Sequence, residues 1–358
     1  MTSPAVAAEK LDRLLGKMHR LRHGGAMLMS VEVPAAGFHW SGLPTGLAGA
    51  PLYRIASGSK LFTAALVFML VDKRVVTLDA PIHTIVPDDL SGIHTFKGVD
   101  YSKQITVRHL LANTSGLVDY GEEAPKGETP PMARLMQGED FTFTFADVLS
   151  ALRGPLAPHF VPGAPGRAHY SDSNFQLLER ALEHLTGTPF PELVARAIVE
   201  PLGLRDTFVF TKSDIARYDQ ITPVYAGDRR LRLPNAMACF GAQGGVISSL
   251  ADSQSFLQAF MQGRLFDPRH IMSGQEWNRI FFPFRYGLGV MRVSANPLLG
   301  VVGGKPHLIG HSGSSGVIMF HDPQSGAYIC GTSNHMRPQG LPYRFLIPAL
   351  MAVRGLGR

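Results

Sequence analysis

The chain has 358 residues, of which 45% are hydrophobic and 17% charged, and its formal net charge is +6. That composition excludes a disordered chain and suits one large domain, or two that share a long interface. The basic residues are scattered, with only the short cluster DRRLR at 228–232, which argues against a nucleic-acid groove, and no apolar run approaches the ~20 residues of a membrane span.

The first stretch reads as an amphipathic helix, with Leu11, Leu14, Met18 and Leu21 at spacings of three and four. It has no apolar signal core followed by a small-residue cleavage site, so a cytoplasmic protein is expected. GAMLMSVEV (25–33) and GFHWSG (37–42) read as a hairpin joined by PAA. RIASGSK (54–60) then opens a strongly apolar helix, expected to be buried on most sides. TLDAPIHTIVPDD (77–89) leads into looser structure. From about 81 to 235, helices alternate with Gly/Pro-rich loops. ITVRHLLANTSGL (105–117) and FQLLERALEHLTG (175–187) are the clearest helical stretches, the second stopped by Gly187 and Pro189. Residues 120–140 are polar and rich in Pro and Gly, which predicts an irregular loop of the kind that covers a site.

From about 236 the pattern changes. GGVISSLADSQSFLQAFMQG gives a turn and a helix, and the runs YGLGVMRV, HLIGHSG, GVIMFHD and AYICGTS read as strands. PYRFLIPALMAVRGL closes the chain as a helix. The expected fold is of the α+β type: residues 1–80 and 236–358 form one lobe, with a sheet drawn from both chain ends. Residues 81–235 form a mostly helical lobe, with the 120–140 loop near the cleft. Cys239 and Cys330 are far apart and read as reduced core residues.

Three short motifs carry possible chemistry. Ser57 and Lys60, at i and i+3, share one helix face. Ser57 falls at the first turn, where free backbone N–H groups favour developing negative charge. A serine hydroxyl needs a neighbour to take its proton. Lys60 can do so only if its ammonium is brought down from about 10.4 towards neutrality, a cost of roughly 4–5 kcal/mol. Taken alone, the pair is equally a capped helix with a surface lysine. Tyr170, in GRAHYSDSNF (166–175), is either a proton carrier beside that lysine or a core aromatic. His311, in IGHSGSSG (309–316), is either a hydrogen-bonding group beside a glycine-lined strand or a structural histidine. No G-x-S-x-G, H-E-x-x-H, paired-cysteine or Walker motif is present, so no metal or cofactor is expected.

In this order, the motifs resemble those of the penicillin-recognising serine enzymes, above all the class C β-lactamase-like branch. That branch takes in D-alanyl-D-alanine carboxypeptidases, D-aminopeptidases, family VIII esterases and some acyltransferases. SGSK is similar to its S-x-x-K, YSD stands at its Y-x-N, and HSG stands at its K-T-G or H-x-G. The stretches VVTLDAPIHTIVP, ITVRHLLANTSGL, HFVPGAPGRAHYSDSNFQLLERALEHLTG and PLGLRDT resemble the branch as well. The resemblance implies a β-lactamase/transpeptidase-like fold, an antiparallel sheet flanked by helices with an inserted all-helical lobe. It implies an acyl-enzyme on Ser57, proton transfer by Lys60 and Tyr170, and an oxyanion hole from the backbone N–H groups of Ser57 and Ser314, beside Gly313. Tyr120 in GLVDY lines the cleft on the same ground.

Two departures shape the expected substrate. Asp172 stands where the branch has asparagine, and an ionised aspartate only accepts hydrogen bonds. It therefore suits a substrate that offers a donor there, such as an amine or hydroxyl, or one with no amide at that point; it can also pair with Lys60, hold that amine charged and shift the base role towards Tyr170. His311 stands where β-lactamases carry lysine, so a substrate carboxylate is anchored less strongly. This tilts the expected substrate from β-lactams towards esters or amides of small molecules and leaves room for carboxypeptidases, some of which carry H-x-G here. Transfer of the acyl group to an amine or alcohol acceptor is the rival. A non-catalytic binding protein on the same fold would have lost Ser57 or Lys60, and both are present.

Overall fold

The computed structural model describes residues 3–20, 27–43, 50–272, 276–294, 307–337 and 340–356. Its centre is an eight-stranded antiparallel sheet. The strands are β1 (Leu28–Val33), β2 (Phe38–Gly42), β3 (Asn278–Phe281), β4 (Phe284–Tyr286), β5 (Met291–Ser294), β6 (His307–Gly313), β7 (Val317–Asp322) and β8 (Ala327–Thr332), in the spatial order β3-β4-β5-β6-β7-β8-β1-β2. The first hairpin is thus sewn onto the last strands, with Leu28 opposite Thr332 and Glu32 opposite Tyr328. β7 and β8 are buried along nearly their whole length, because helices cover both faces of the sheet.

Helix α1 (Pro4–Arg20) lies against the closing helix α6 (Leu341–Val353). Its buried stripe is Ala7, Leu11, Leu15 and Met18, a 3.6-residue period. Leu14 is only half-buried, and Leu21 lies outside the described residues. Helix α2 (Ser59–Asp72) runs through the interior, buried on every side from Ser59 to Phe68. It packs on α5 (Leu250–Met261) through Phe62 and Phe256, whose rings stack 3.6 Å apart.

The helix expected over 105–117 is a single turn, α3 (Val107–Leu111), capped by Thr106. The chain leaves it because Asn113 and Gly116 take left-handed backbone conformations, with φ of 56° and 77°. Helix α4 (Asp172–Thr186) ends on left-handed Gly187, as its sequence predicts. The 120–140 stretch contains a short helix at Pro131–Met136. Cys330 is buried, whereas Cys239 is only half-buried and is no core residue. No helix among the described residues is long and apolar enough to cross a membrane.

Candidate active site

Ser57 does not sit in α2 itself. It is the middle residue of a 3-10 turn, Ala56–Gly58, that precedes the helix, and no side chain caps the helix start. Ala56 enters this turn at φ 46°, a left-handed conformation that costs a non-glycine residue of order 1–3 kcal/mol. Strand β6 passes directly against the turn. A Cβ on Gly313 would lie 2.9 Å from both Ala56 Cβ and Ile55 O, and 3.1 Å from Ser57 N. Only a residue without a side chain allows this approach. The half-buried Ser314 follows in the next turn.

Lys60 is fully buried one turn into the helix. Its Nζ lies 3.2 Å from Ser57 Oγ, 2.7 Å from the Gln243 carbonyl oxygen and 2.6 Å from Asp172 Oδ1. Ser57 Oγ and the Gln243 carbonyl accept hydrogen bonds from the amine, and Asp172 supplies the opposite charge as an ion pair. The amine also lies 5.2 Å from the ring centre of Tyr170 and 5.1 Å from that of Phe175. The segment bearing Gln243 is tied to α2 by Thr63 Oγ1, which donates to Ala242 O at 3.0 Å, and by Val246 N, which donates to Ser59 Oγ at 3.0 Å.

Asp172 is the first residue of α4, where the helix dipole favours a carboxylate. Ser171 caps that helix and donates to Val118 O at 2.9 Å. Asn113 and Asn174 lock the α3–α4 junction, since Asn113 Oδ1 accepts from Ser171 N at 3.0 Å and from Asn174 Nδ2 at 2.8 Å. Asp119 lies beneath. It accepts from Asp172 N at 3.0 Å and from Gly121 N at 2.8 Å, and burial together with the charge of Asp172 pushes its carboxyl up to about 8.

The Tyr170 hydroxyl is buried and finds no hydrogen-bond partner of good geometry among the described residues. Burial and then the charge of Asp172 push this phenol well above its ordinary value, while the nearby Ser57 hydroxyl pulls it the other way. The net direction keeps Tyr170 protonated. Its ring meets Tyr286 edge-on at 5.8 Å and the exposed Phe281 at 6.3 Å.

His311 is fully buried on β6. Its Nδ1 lies 2.7 Å from Ser312 O, which can only accept, so Nδ1 carries the proton. Nε2 then accepts from Tyr286 OH at 2.9 Å. Burial, with Lys60 nearby, drives the ring down to about 3. His311 is therefore a neutral, doubly engaged group.

Tyr120 N donates to Ser173 Oγ at 3.2 Å, and Tyr120 OH accepts from Gln243 Nε2 at 2.6 Å. Beside them opens a pocket of about 230 Å³, with Asp172 and Gln243 at its polar end and Tyr120, Met132, Phe143 and Phe240 among its apolar walls. Gln243 Oε1 is buried without a partner among the described residues.

The eight residues singled out in the sequence thus fall into one neighbourhood: Ser57, Lys60, Tyr170 and Asp172 at its centre, Gly313 and Ser314 on the adjoining strand and turn, Tyr120 on the pocket wall, and His311 behind. Sequence reasoning missed Asp119, Gln243 and Tyr286. Asp119 immediately precedes the flagged Tyr120, and Gln243 sits in a run of small residues, GAQGG, that signals close backbone packing.

Similar proteins agree with this architecture. The chain is 28% identical over 210 residues to the D-alanyl-D-alanine-carboxypeptidase/endopeptidase AmpH of Escherichia coli, which covers 58% of this chain and 48% of that one. It is 27% identical over 239 residues to the monacolin J acid methylbutanoyltransferase of Aspergillus terreus, covering 61% and 55%. The chain therefore spans about half the length of the curated relatives it matches. Among solved structures, a D-stereospecific amidohydrolase from Streptomyces sp. superposes with a TM-score of 0.70 at 25% identity, over 93% of this chain and 94% of that one. The sequence model of the family described as Beta-lactamase matches residues 45–347, a span that holds every residue of the site from Ser57 to Ser314, and the chain belongs to that family.

Proposed function

We propose that the protein is a serine hydrolase that cleaves an ester or amide of a small molecule through an acyl-enzyme on Ser57. The observation that carries this reading is the buried Lys60 amine, 3.2 Å from Ser57 Oγ and 2.6 Å from Asp172 Oδ1. Lys60 hands one proton to Asp172 and, as an amine, takes the Ser57 proton while Oγ attacks the carbonyl carbon. The oxyanion that forms is held by the backbone N–H groups of Ser57 and Ser314. Protonated Tyr170 gives its proton to the leaving alcohol or amine and takes one back from the incoming water. Lys60 then returns a proton to Ser57 as the acyl group leaves, and Asp172 returns its proton to Lys60.

The lobe arrangement that serves this chemistry is 1–80 with 236–358 on one side of the cleft and 81–235 on the other. The apolar pocket holds the substrate's hydrophobic group, and Gln243 Oε1 accepts from an N–H or O–H of the substrate. Asp172, engaged with Lys60, is less available for that role. Neutral His311 favours substrates without a free carboxylate beside the scissile bond.

Transfer of the acyl group to an alcohol or amine is the second reading. The apolar pocket favours it, since a bound organic acceptor there displaces the water that would hydrolyse the acyl-enzyme, and a methylbutanoyltransferase is among the relatives. Intact-mass spectrometry after exposure to a panel of esters, amides and β-lactams tests the shared step. A mass increase equal to the acyl group is expected, and Ser57→Ala is expected to abolish it. Product analysis with and without added alcohols and amines separates the two readings.

A further inference from the structure

Away from the serine, Glu123, His159 and His169 bring three ligand atoms within 4.8 Å of one another. His159 Nε2 lies 3.0 Å from Glu123 Oε2 and His169 Nε2 lies 2.8 Å from Glu123 Oε1, with the two imidazoles stacked 3.6 Å apart. From the geometry we infer that these three residues form a binding site for a divalent transition metal of the zinc class.

The donor set is the first argument. Two imidazoles and one carboxylate suit zinc and leave a fourth position for water. Metal bonds of about 2.0–2.2 Å in a tetrahedral arrangement place ligand atoms about 3.3 Å apart. The imidazole-to-carboxylate separations of 2.8–3.1 Å need open by only a few tenths of an ångström, and the two rings, stacked 3.6 Å apart, turn away from each other to bring both Nε2 atoms onto one ion.

Preorganisation is the second argument. Each ligand is held by its own backbone: His159 N donates to Gly116 O at 2.8 Å, His169 N to Asn113 O at 2.9 Å, and Glu123 N to Asp119 O at 3.0 Å. Asp119 N also donates to Glu123 Oε1 at 2.7 Å, the kind of outer bond that orients a ligating carboxylate. Access is the third. All three residues are partly exposed, with side-chain exposures of 25–34%.

The bound ion joins two segments that frame the serine site. Glu123 ends the segment that carries Asp119 and Tyr120, and His169 immediately precedes Tyr170. The three ligands span 46 residues of sequence and match no contiguous zinc motif, so the cluster is visible only in the fold.

The test uses the full chain, stripped with a chelator and titrated with zinc chloride in a non-coordinating buffer. Calorimetry is expected to show one saturable site per chain, and cobalt(II) in its place is expected to give the visible absorption of a tetrahedral centre. His169→Ala is expected to abolish the site, and Glu123→Gln, which keeps the side chain's shape, to weaken it at least tenfold. Circular dichroism of each variant checks that it is folded. No saturable binding to the wild-type chain, or binding unchanged in both folded variants, would overturn the inference. The readout is metal binding alone, so it stands or falls separately from the serine chemistry.

Discussion

Lys60 Nζ stands 2.6 Å from Asp172 Oδ1, and the lysine side chain has no exposed surface. Removing one partner of such a pair strands the other charge in the interior, which typically costs about 3–5 kcal/mol. Asp172→Ala is expected to lower stability by that amount in urea unfolding. Asp172→Asn keeps the shape but cannot take a proton from Lys60, so kcat for a nitrophenyl ester is expected to fall about 100-fold. An Asn variant with unchanged kcat would remove Asp172 from the proton route.

Gly313 faces the Ser57 turn so closely that a methyl group would meet Ile55 O and Ser57 N. Gly313→Ala is expected to push β6 away from the turn, costing about 1–3 kcal/mol of stability. The displaced strand is expected to lower kcat/KM about 100-fold, the penalty of roughly 1 Å of misplacement. A variant that folds normally and retains full activity would show that the oxyanion is held elsewhere.

Asp119 holds its proton to about pH 8 in the folded chain, against an ordinary value of 3.8. Between these values the folded state binds more protons than the unfolded one, so stability falls as pH rises through this window, by at most about 1.4 kcal/mol per pH unit. Asp119→Asn removes this titration. Chemical denaturation at several pH values from 4 to 8 is expected to show a flatter pH dependence for the variant, and parallel curves would refute the assignment.

Ala151 lies on the helix Phe145–Leu152 and lines the apolar pocket. Ala151→Phe fills part of that space. It is expected to lower kcat/KM for esters of bulky acids about tenfold or more while leaving acetyl esters little changed. Equal loss for both series would place the substrate's hydrophobic group outside this pocket.

Much of the site was legible because its chemistry is written in short, local motifs. Ser57 and Lys60 are three residues apart, and Tyr170 and Asp172 straddle a helix start, so local spacing already brings each pair together. Other groups depend on distant contacts. Gln243 meets Lys60 across 183 positions, and nothing near it in sequence signals an amine. The extent of α3 was misread because Leu110 and Leu111 continue a helical pattern, while the turn chemistry of Asn113 and Gly116 overrides it. The state of Tyr170 is set by burial and by neighbouring carboxylates, neither of which has a sequence signature.

The pairing of Leu28 with Thr332 orders events during synthesis. The hairpin of β1 and β2 emerges early, yet the strand beside it is made some 300 residues later. Pairings this distant in sequence form slowly, since a long loop must close before they gain anything. Strand β6, which meets the turn bearing Ser57, is also a late arrival. Ser57 is therefore made long before the strand that packs against its turn, and its surroundings are complete only after β6 has been synthesised.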